Sequence, residues 1–269
     1  MSRRSFEISV AGWSFHRRIF AGKLKTIDAF RLVREELDLG AYELVNTLVE
    51  VPTAHYVARL AKQAEEYRVA IPLIMCDHEG HLGAADSTDR ARAVRDHSKW
   101  VYIAGDLGCH AIRVNWIGLT DDDPNADAFL HRSTTSFQEL LRIGEPSGVD
   151  ILVENHGGPS SDPALLERLM ESVSSPHFGT LPDFGNFPPG TDTYAAVDRM
   201  MPWAKAVSAK CYDFNADGTE TTIDFERMLS ICVDKHGYQG YIGIEYEGER
   251  LDEMAGTISC RDLLRRLRG

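Results

Sequence analysis

Eight short apolar runs recur along this 269-residue chain, and each is followed by a longer, mostly helical-looking segment. The runs are Phe6-Glu7-Ile8-Ser9-Val10, Tyr42-Glu43-Leu44-Val45, Ile71-Pro72-Leu73-Ile74-Met75, Ala111-Ile112-Arg113-Val114, Ile151-Leu152-Val153, Phe178-Gly179-Thr180-Leu181, Ala206-Val207-Ser208-Ala209 and Tyr241-Ile242-Gly243-Ile244. Each is short and either β-branched or bounded by turn residues, so each reads as a strand. Between them, Ile27, Phe30, Val33 and Leu37 repeat every three or four residues, as do Leu166, Leu169, Met170 and Val173. Ile223, Met228, Leu229 and Cys232 form a further stripe. A long helix is expected between Asp86 and Leu107, with Ala91, Val94, Trp100, Val101 and Ile103 as its apolar members. Asp162-Pro163 suits a helix start: Asp caps exposed N–H groups, and Pro at the first helical position loses no hydrogen bond.

Strands that alternate with helices imply parallel pairing with crossover helices. Eight units of roughly 34 residues fit a closed (β/α)8 TIM barrel of about 250 residues. The fold class read here is therefore α/β, a single-domain TIM barrel spanning residues 1–269. A doubly wound open sheet is the other arrangement considered. It would be expected to carry a Gly-rich phosphate loop after an early strand, and no such motif occurs.

Composition narrows the partners. The formal net charge is -12, so the surface repels phosphate backbones and anionic lipid headgroups, and neither nucleic acid nor a membrane surface is expected as a partner. No apolar stretch reaches the roughly 18 residues that a spanning helix needs. The start, Ser2-Arg3-Arg4-Ser5-Phe6, superficially resembles a twin-arginine export signal, but Glu7 interrupts it before any apolar run. Cys76, Cys109, Cys211, Cys232 and Cys260 are odd in number and form no C-x-x-C pair. They read as reduced structural thiols, with a cytoplasmic location expected.

In such barrels the reactive residues follow the C-terminal ends of the strands. That rule turns the strand list into a site list. Strand 1 leads to Trp13, Ser14 and His16, and strand 2 to Asn46. Strand 3 delivers Asp77, His78 and Glu79, and strand 4 Arg113, Asn115 and Trp116. Strand 5 ends at Glu154-Asn155-His156, strand 6 at Asp183, with Asn186 three residues on. Strand 7 carries Lys210, and strand 8 ends at Glu245-Tyr246-Glu247. Glu154, Asp183 and Glu245 abut apolar strand residues. A carboxylate at the end of a buried strand is costly unless something pairs with it. Three converging on one mouth call for a cation. Hard oxygen ligands suit Mg²⁺ or Mn²⁺, and an added His would also suit Zn²⁺ or Co²⁺.

The segments Leu152-Val153-Glu154-Asn155-His156-Gly157-Gly158, Leu181-Pro182-Asp183-Phe184-Gly185-Asn186 and Ile242-Gly243-Ile244-Glu245-Tyr246 resemble the sugar phosphate isomerase/epimerase family. These are the xylose isomerase-like barrels, which include ketose 3-epimerases and inosose dehydratases. The resemblance covers nearly the whole chain. It implies one divalent metal at the barrel mouth, held by Glu, Asp, His and Glu, with Glu154, Asp183 and Glu245 in three of those places. The family's His stands two residues before a strand-7 Lys; here that position is Ser208. Water, His156 or another side chain then takes the place, or metal binding is weakened or lost.

The resemblance further implies a small sugar or polyol substrate and proton transfer through an enediolate, with Glu154 and Glu245 as the proton-transferring pair. Lys210 would stabilise an oxyanion, or be held in a buried ion pair. His156, Asn186, His78, Arg113, Asn115 and Trp13 are the expected substrate-binding residues. For each a structural role is the competing reading: a rim or turn residue for the polar ones, core packing for Trp13 and Trp116. The absence of a phosphate-binding Gly loop after strand 7 or 8 favours a non-phosphorylated substrate. Related chemistry on the same site would be dehydration of a keto-inositol-like compound, and a sugar-binding barrel without catalysis is the non-enzymatic alternative. A multi-zinc apurinic endonuclease shares the fold, but the ten His fall mostly in predicted helices or loops and the acidic charge opposes DNA. Barrels of this type often pair, so a homo-oligomer is compatible with the reading.

Overall fold

The computed structural model describes residues 4–119 and 126–269. Arg3, the first of the arginine pair at the start, lies outside the described residues. Eight strands alternate with helices: β1 (Glu7–Ala11), β2 (Tyr42–Val45), β3 (Leu73–Cys76), β4 (Ala111–Asn115), β5 (Asp150–Glu154), β6 (Phe178–Leu181), β7 (Val207–Cys211) and β8 (Tyr241–Tyr246). All pair in parallel, in the order β6-β5-β4-β3-β2-β1-β8-β7. Closure comes from the chain just beyond β6. Ser208 N donates to Pro182 O at 2.9 Å, and Phe184 N donates to Ser208 O at 3.1 Å. Isolated bridges tie Thr180 to Ala204 and Asp183 to Ser208. The expected (β/α)8 barrel is the observed fold.

Successive side chains on a strand point to opposite faces, and this sorts the core into two layers. Ile8, Val10, Leu44, Ile74, Cys76, Ile112, Val114, Ile151, Val153, Val207, Ala209, Ile242 and Ile244 belong to the large cluster packed against the helices. Their alternates Ala11, Val45, Leu73, Met75, Ala111, Leu152, Leu181 and Ala206 form a separate, smaller cluster. That second cluster fills the barrel interior. Fully burying each aliphatic side chain stabilises by about 1.5–3 kcal/mol, before the ordering entropy that opposes it.

The helices bear out the periodic readings, with local adjustments. Pro163–Val173 is helical, and Asp162 accepts from Ala164 N and Leu165 N, as its capping position predicts. The long helix runs Ser87–Leu107 with Asp86 as its cap. Its predicted apolar member Ala91 faces solvent, and Ala93 and His97 are buried instead. The stripe around Ile223–Cys232 becomes a short α-helix, Phe225–Leu229, continued by a π-helical stretch, Ser230–Lys235. All five cysteines are free and buried. Among the described residues no helix is long and apolar enough to cross a membrane.

Candidate active site

The inward alternation continues past the apolar interior and turns polar at the C-terminal mouth. From Leu152 the next inward position is Glu154; from Leu181 it is Asp183; from Gly243 it is Glu245. Register then brings them together: Ser208 pairs with Gly243, Lys210 with Glu245, and Asp183 bridges to Ser208. Ligand oxygens of Glu154, Asp183 and Glu245 all lie within 4.8 Å of one another, and all three residues are buried. Of the three, Glu245 lines a cavity of about 370 Å³, together with Trp13, Asp77, His78, Arg113, Asn115, His156, Asn186, Lys210 and Glu247.

Two cations reach the cluster. Lys210 Nζ donates to Glu245 Oε1 at 2.7 Å and lies 3.2 Å from Glu247 Oε1. Arg113 Nε approaches Glu154 Oε2 to 2.7 Å, although the two atoms lack hydrogen-bond alignment. Arg113 Nη1 donates to Asp77 Oδ1 at 2.7 Å and to Asn115 Oδ1 at 2.9 Å. Asn115 Nδ2 also donates to Asp77 Oδ1 at 2.7 Å. Among the described residues Asp183 makes no ion pair, although Lys210 is near enough to pull on it. Its Oδ1 accepts from Gly185 N and Asn186 N, each at 2.8 Å, while its Oδ2 is buried without a hydrogen-bond partner among the described residues.

These contacts set the protonation. Burial pushes Glu154 and Asp183 up to about 7, each against the pull of a nearby cation and with the push of its acidic neighbours. Burial acts in the same direction on Glu245, but the Lys210 ammonium outweighs it and holds Glu245 below the ordinary carboxylate range. Burial also opposes ionisation of Asp77, yet Arg113 and Asn115 bring it down to about 2. Three carboxylates this close cannot all be ionised unless further positive charge joins them. An orphaned, fully buried carboxylate oxygen facing two other carboxylates is a donor set that fits a divalent cation.

A profile of the xylose isomerase-like TIM barrel family matches residues 35–267. The chain belongs to this family. It is similar to a D-tagatose 3-epimerase-like protein, with a TM-score of 0.80, 16% identity and 97% of each chain covered. An L-ribulose 3-epimerase gives 0.77 at 15% identity, covering 97% of this chain and 94% of that one. A xylose isomerase-like TIM barrel protein from Mycobacterium smegmatis, in complex with magnesium, gives 0.71 at 15% identity, covering 98% and 96%. At these identities the likeness is one of fold. No curated protein matches the chain in sequence.

Each residue singled out in the sequence has a definite place in this xylose isomerase-like barrel. Glu154, Asp183 and Glu245 converge. Lys210 stands in a buried ion pair, the second of its two readings. Asn186 both closes the turn after β6 and donates from Nδ2 to Glu154 Oε1 at 3.1 Å. Arg113 and Asn115 are inward-facing members of one network, not rim residues. His78 lines the cavity with a left-handed backbone, φ 61°, unusual for a residue with a side chain. His156 lines the cavity too, but β5 ends at Glu154, so strand alternation does not aim it at the acids, and it does not join their cluster. Trp13 stacks on His16 with centroids 4.5 Å apart and donates to Glu247 Oε1 at 2.6 Å. Trp116 is core: it stacks on Phe129 and donates to Ser133 Oγ.

One inward carboxylate escaped the sequence reading. Glu43 on β2 is buried and accepts from Ser9 Oγ at 2.5 Å. Burial pushes it up to about 7. A Cβ at Gly243 would stand 2.6 Å from both of its carboxylate oxygens, so glycine there makes room for it. The signal was present: an acid in the middle of a four-residue apolar strand, one step inward from Val45.

Proposed function

We propose that this barrel is a metal-dependent sugar isomerase or epimerase acting on a small ketose or polyol-derived substrate, by proton transfer next to a carbonyl through an enediolate. One observation carries the reading. Two glutamates from different strands, Glu154 and Glu245, meet a third carboxylate, Asp183, and Glu245 opens onto a cavity sized for a small polar molecule. The epimerase names among its structural neighbours, and the magnesium bound to one of them, support the same reading.

Glu154, Asp183 and Glu245 would hold the divalent ion. When bound, that ion supplies positive charge that polarises a carbonyl and stabilises developing negative charge. Glu154 and Glu245 move the proton: one takes it from the carbon beside the carbonyl, and the other returns it. Lys210, anchored by Glu245 and Glu247, holds one glutamate in place and presents positive charge to a developing oxyanion. Arg113 fixes the other glutamate from the opposite side. Trp13, His78, Asn115, His156 and Asn186 supply an aromatic wall and hydrogen-bonding groups for hydroxyls. The cavity lining carries three carboxylates, Asp77, Glu245 and Glu247, against Arg113 and Lys210, with Glu154 and Asp183 buried beside it, so an uncharged substrate is favoured over an anionic one.

The test is metal content of the purified protein, then deuterium incorporation from solvent into a panel of ketoses with Mn²⁺ present. One bound ion, with exchange abolished in Glu154→Gln and Glu245→Gln, is the expected result. Loss of water in the product mass would instead assign the dehydratase chemistry that shares this first step. No exchange into any ketose or keto-polyol, with metal bound, would sink the catalytic reading.

A further inference from the structure

We infer that the seat formed by Glu154, Asp183 and Glu245 is an all-oxygen one, suited to a hard divalent cation, Mg²⁺ or Mn²⁺, and lacking the nitrogen donor that favours Zn²⁺ or Co²⁺. The inference rests on the metal-dependent reading above and specifies which ion that reading requires. The donor set follows from what each strand presents. Among the described residues the cluster of ligand atoms is made of three carboxylates, and no His nitrogen or Cys sulfur joins it. Asp183 Oδ2 and Glu154 Oε2, both on fully buried residues, have no hydrogen-bond partner among the described residues, and Glu154 Oε2 has Arg113 Nε at 2.7 Å.

The next side chain at this depth is Ser208. Its backbone bridges to Asp183, and its hydroxyl donates to Glu245 Oε2 at 3.2 Å. Ser208 therefore stands between two of the three acids and offers a fourth oxygen. Lys210 and Arg113 are protonated donors and cannot ligate. Cys211 alternates to the helix-facing side of β7, where its Sγ lies 3.7 Å from Glu245 O. His78 and His156 line the cavity from loops rather than from inward strand positions. Hard cations prefer oxygen donors, whereas imidazole raises affinity for Zn²⁺ and Co²⁺ selectively.

The experiment titrates chelator-treated full-length protein calorimetrically with Mn²⁺, Mg²⁺ and Zn²⁺, in the wild type, Asp183→Asn, Ser208→Ala and Ser208→His. One Mn²⁺ or Mg²⁺ per chain, lost in Asp183→Asn, is expected. Ser208→His should raise the Zn²⁺-to-Mn²⁺ affinity ratio by about tenfold or more, while Ser208→Ala leaves it within about threefold. Electron spin-echo spectra of the Mn²⁺-loaded wild type should show no directly coordinated nitrogen; this readout stands even if Ser208→His does not fold. Coordinated nitrogen in the wild type, or an unmoved ratio in a folded Ser208→His, overturns the inference and leaves the metal-dependent reading standing. No binding of any of the three ions overturns both.

Discussion

The two sides of the barrel mouth solve the problem of buried charge differently. On the side built by β2 to β4, most of the polar groups pair with one another. Asn46 donates to Asp77 O and Glu79 Oε1 and accepts from Asp77 N, while Arg113, Asn115 and Asp77 close a three-way network. On the side built by β5 to β8, three carboxylates share the pull of Lys210 and one edge of Arg113, and Asp183 Oδ2 stays orphaned. A satisfied network rigidifies a site; an under-neutralised one is a site that another charge completes. Arg113 joins the two, holding Asp77 on one side and Glu154 on the other.

The largest expected effect lies on the under-neutralised side. Glu154→Gln and Glu245→Gln should each lower solvent deuterium exchange by about 10²–10⁴-fold, the usual share of a general acid or base. Single-turnover exchange into a reactive ketose measures this, and near-wild-type exchange in either variant would break the functional contrast between the two sides.

Next in size is the stability difference. Arg113→Met leaves the buried Glu154 and the half-buried Asp77 without their cation and should cost about 3–5 kcal/mol. Asp183→Asn removes one of three mutually repelling acids and, without added metal, should cost less than about 1 kcal/mol or stabilise. Denaturant titration compares them. Equal losses would mean that the carboxylate cluster is no less self-satisfied than the network across from it.

The pH dependence of stability separates Glu43 and Asp77. Glu43 titrates at about 7 in the fold against an ordinary 4.5. The folded chain thus keeps a proton that the unfolded chain releases, so this stabilisation is full below about pH 4.5 and is lost as pH rises to about 7. Asp77, held down to about 2 against 3.8, behaves oppositely: its stabilisation is present above about pH 3.8 and is lost as pH falls to about 2. A tenfold difference in proton affinity between the folded and unfolded chain corresponds to about 1.4 kcal/mol. Glu43→Gln should therefore flatten the fall in unfolding free energy between pH 5 and pH 8 by on the order of 1–3 kcal/mol. A slope unchanged by the substitution would show that Glu43 is not the group responsible.

The smallest effect is expected at the rim. Trp13→Ala should raise KM by about tenfold or less with kcat nearly unchanged, since an aromatic wall contributes about 0.5–1.5 kcal/mol beyond its buried area. A fall in kcat of equal size would move Trp13 from holding the substrate to serving the reaction, through its bond to Glu247.

By itself the sequence determined the alternation of strands and helices, the period of two within each strand, and hence the strand-end positions of Glu154, Asp183 and Glu245. These are local properties, written within a few neighbouring residues, and so they can be read without coordinates. Only the tertiary structure decided that Arg113 reaches Glu154, that Lys210 is committed to Glu245 and Glu247, that Trp116 packs in the core, and that Glu43 enters the interior beside Ser9 and Gly243. Each of these depends on which strands become neighbours, in which register, and on the curvature that closes β6 onto β7. His156 shows the limit: it stands two residues from Glu154, but the strand ends between them, and the direction of its ring passes from strand geometry to a loop. Pairing of buried charges is settled between residues far apart in the chain, where the cost of an unpaired charge can be met only by whatever side chain the closed barrel brings within reach.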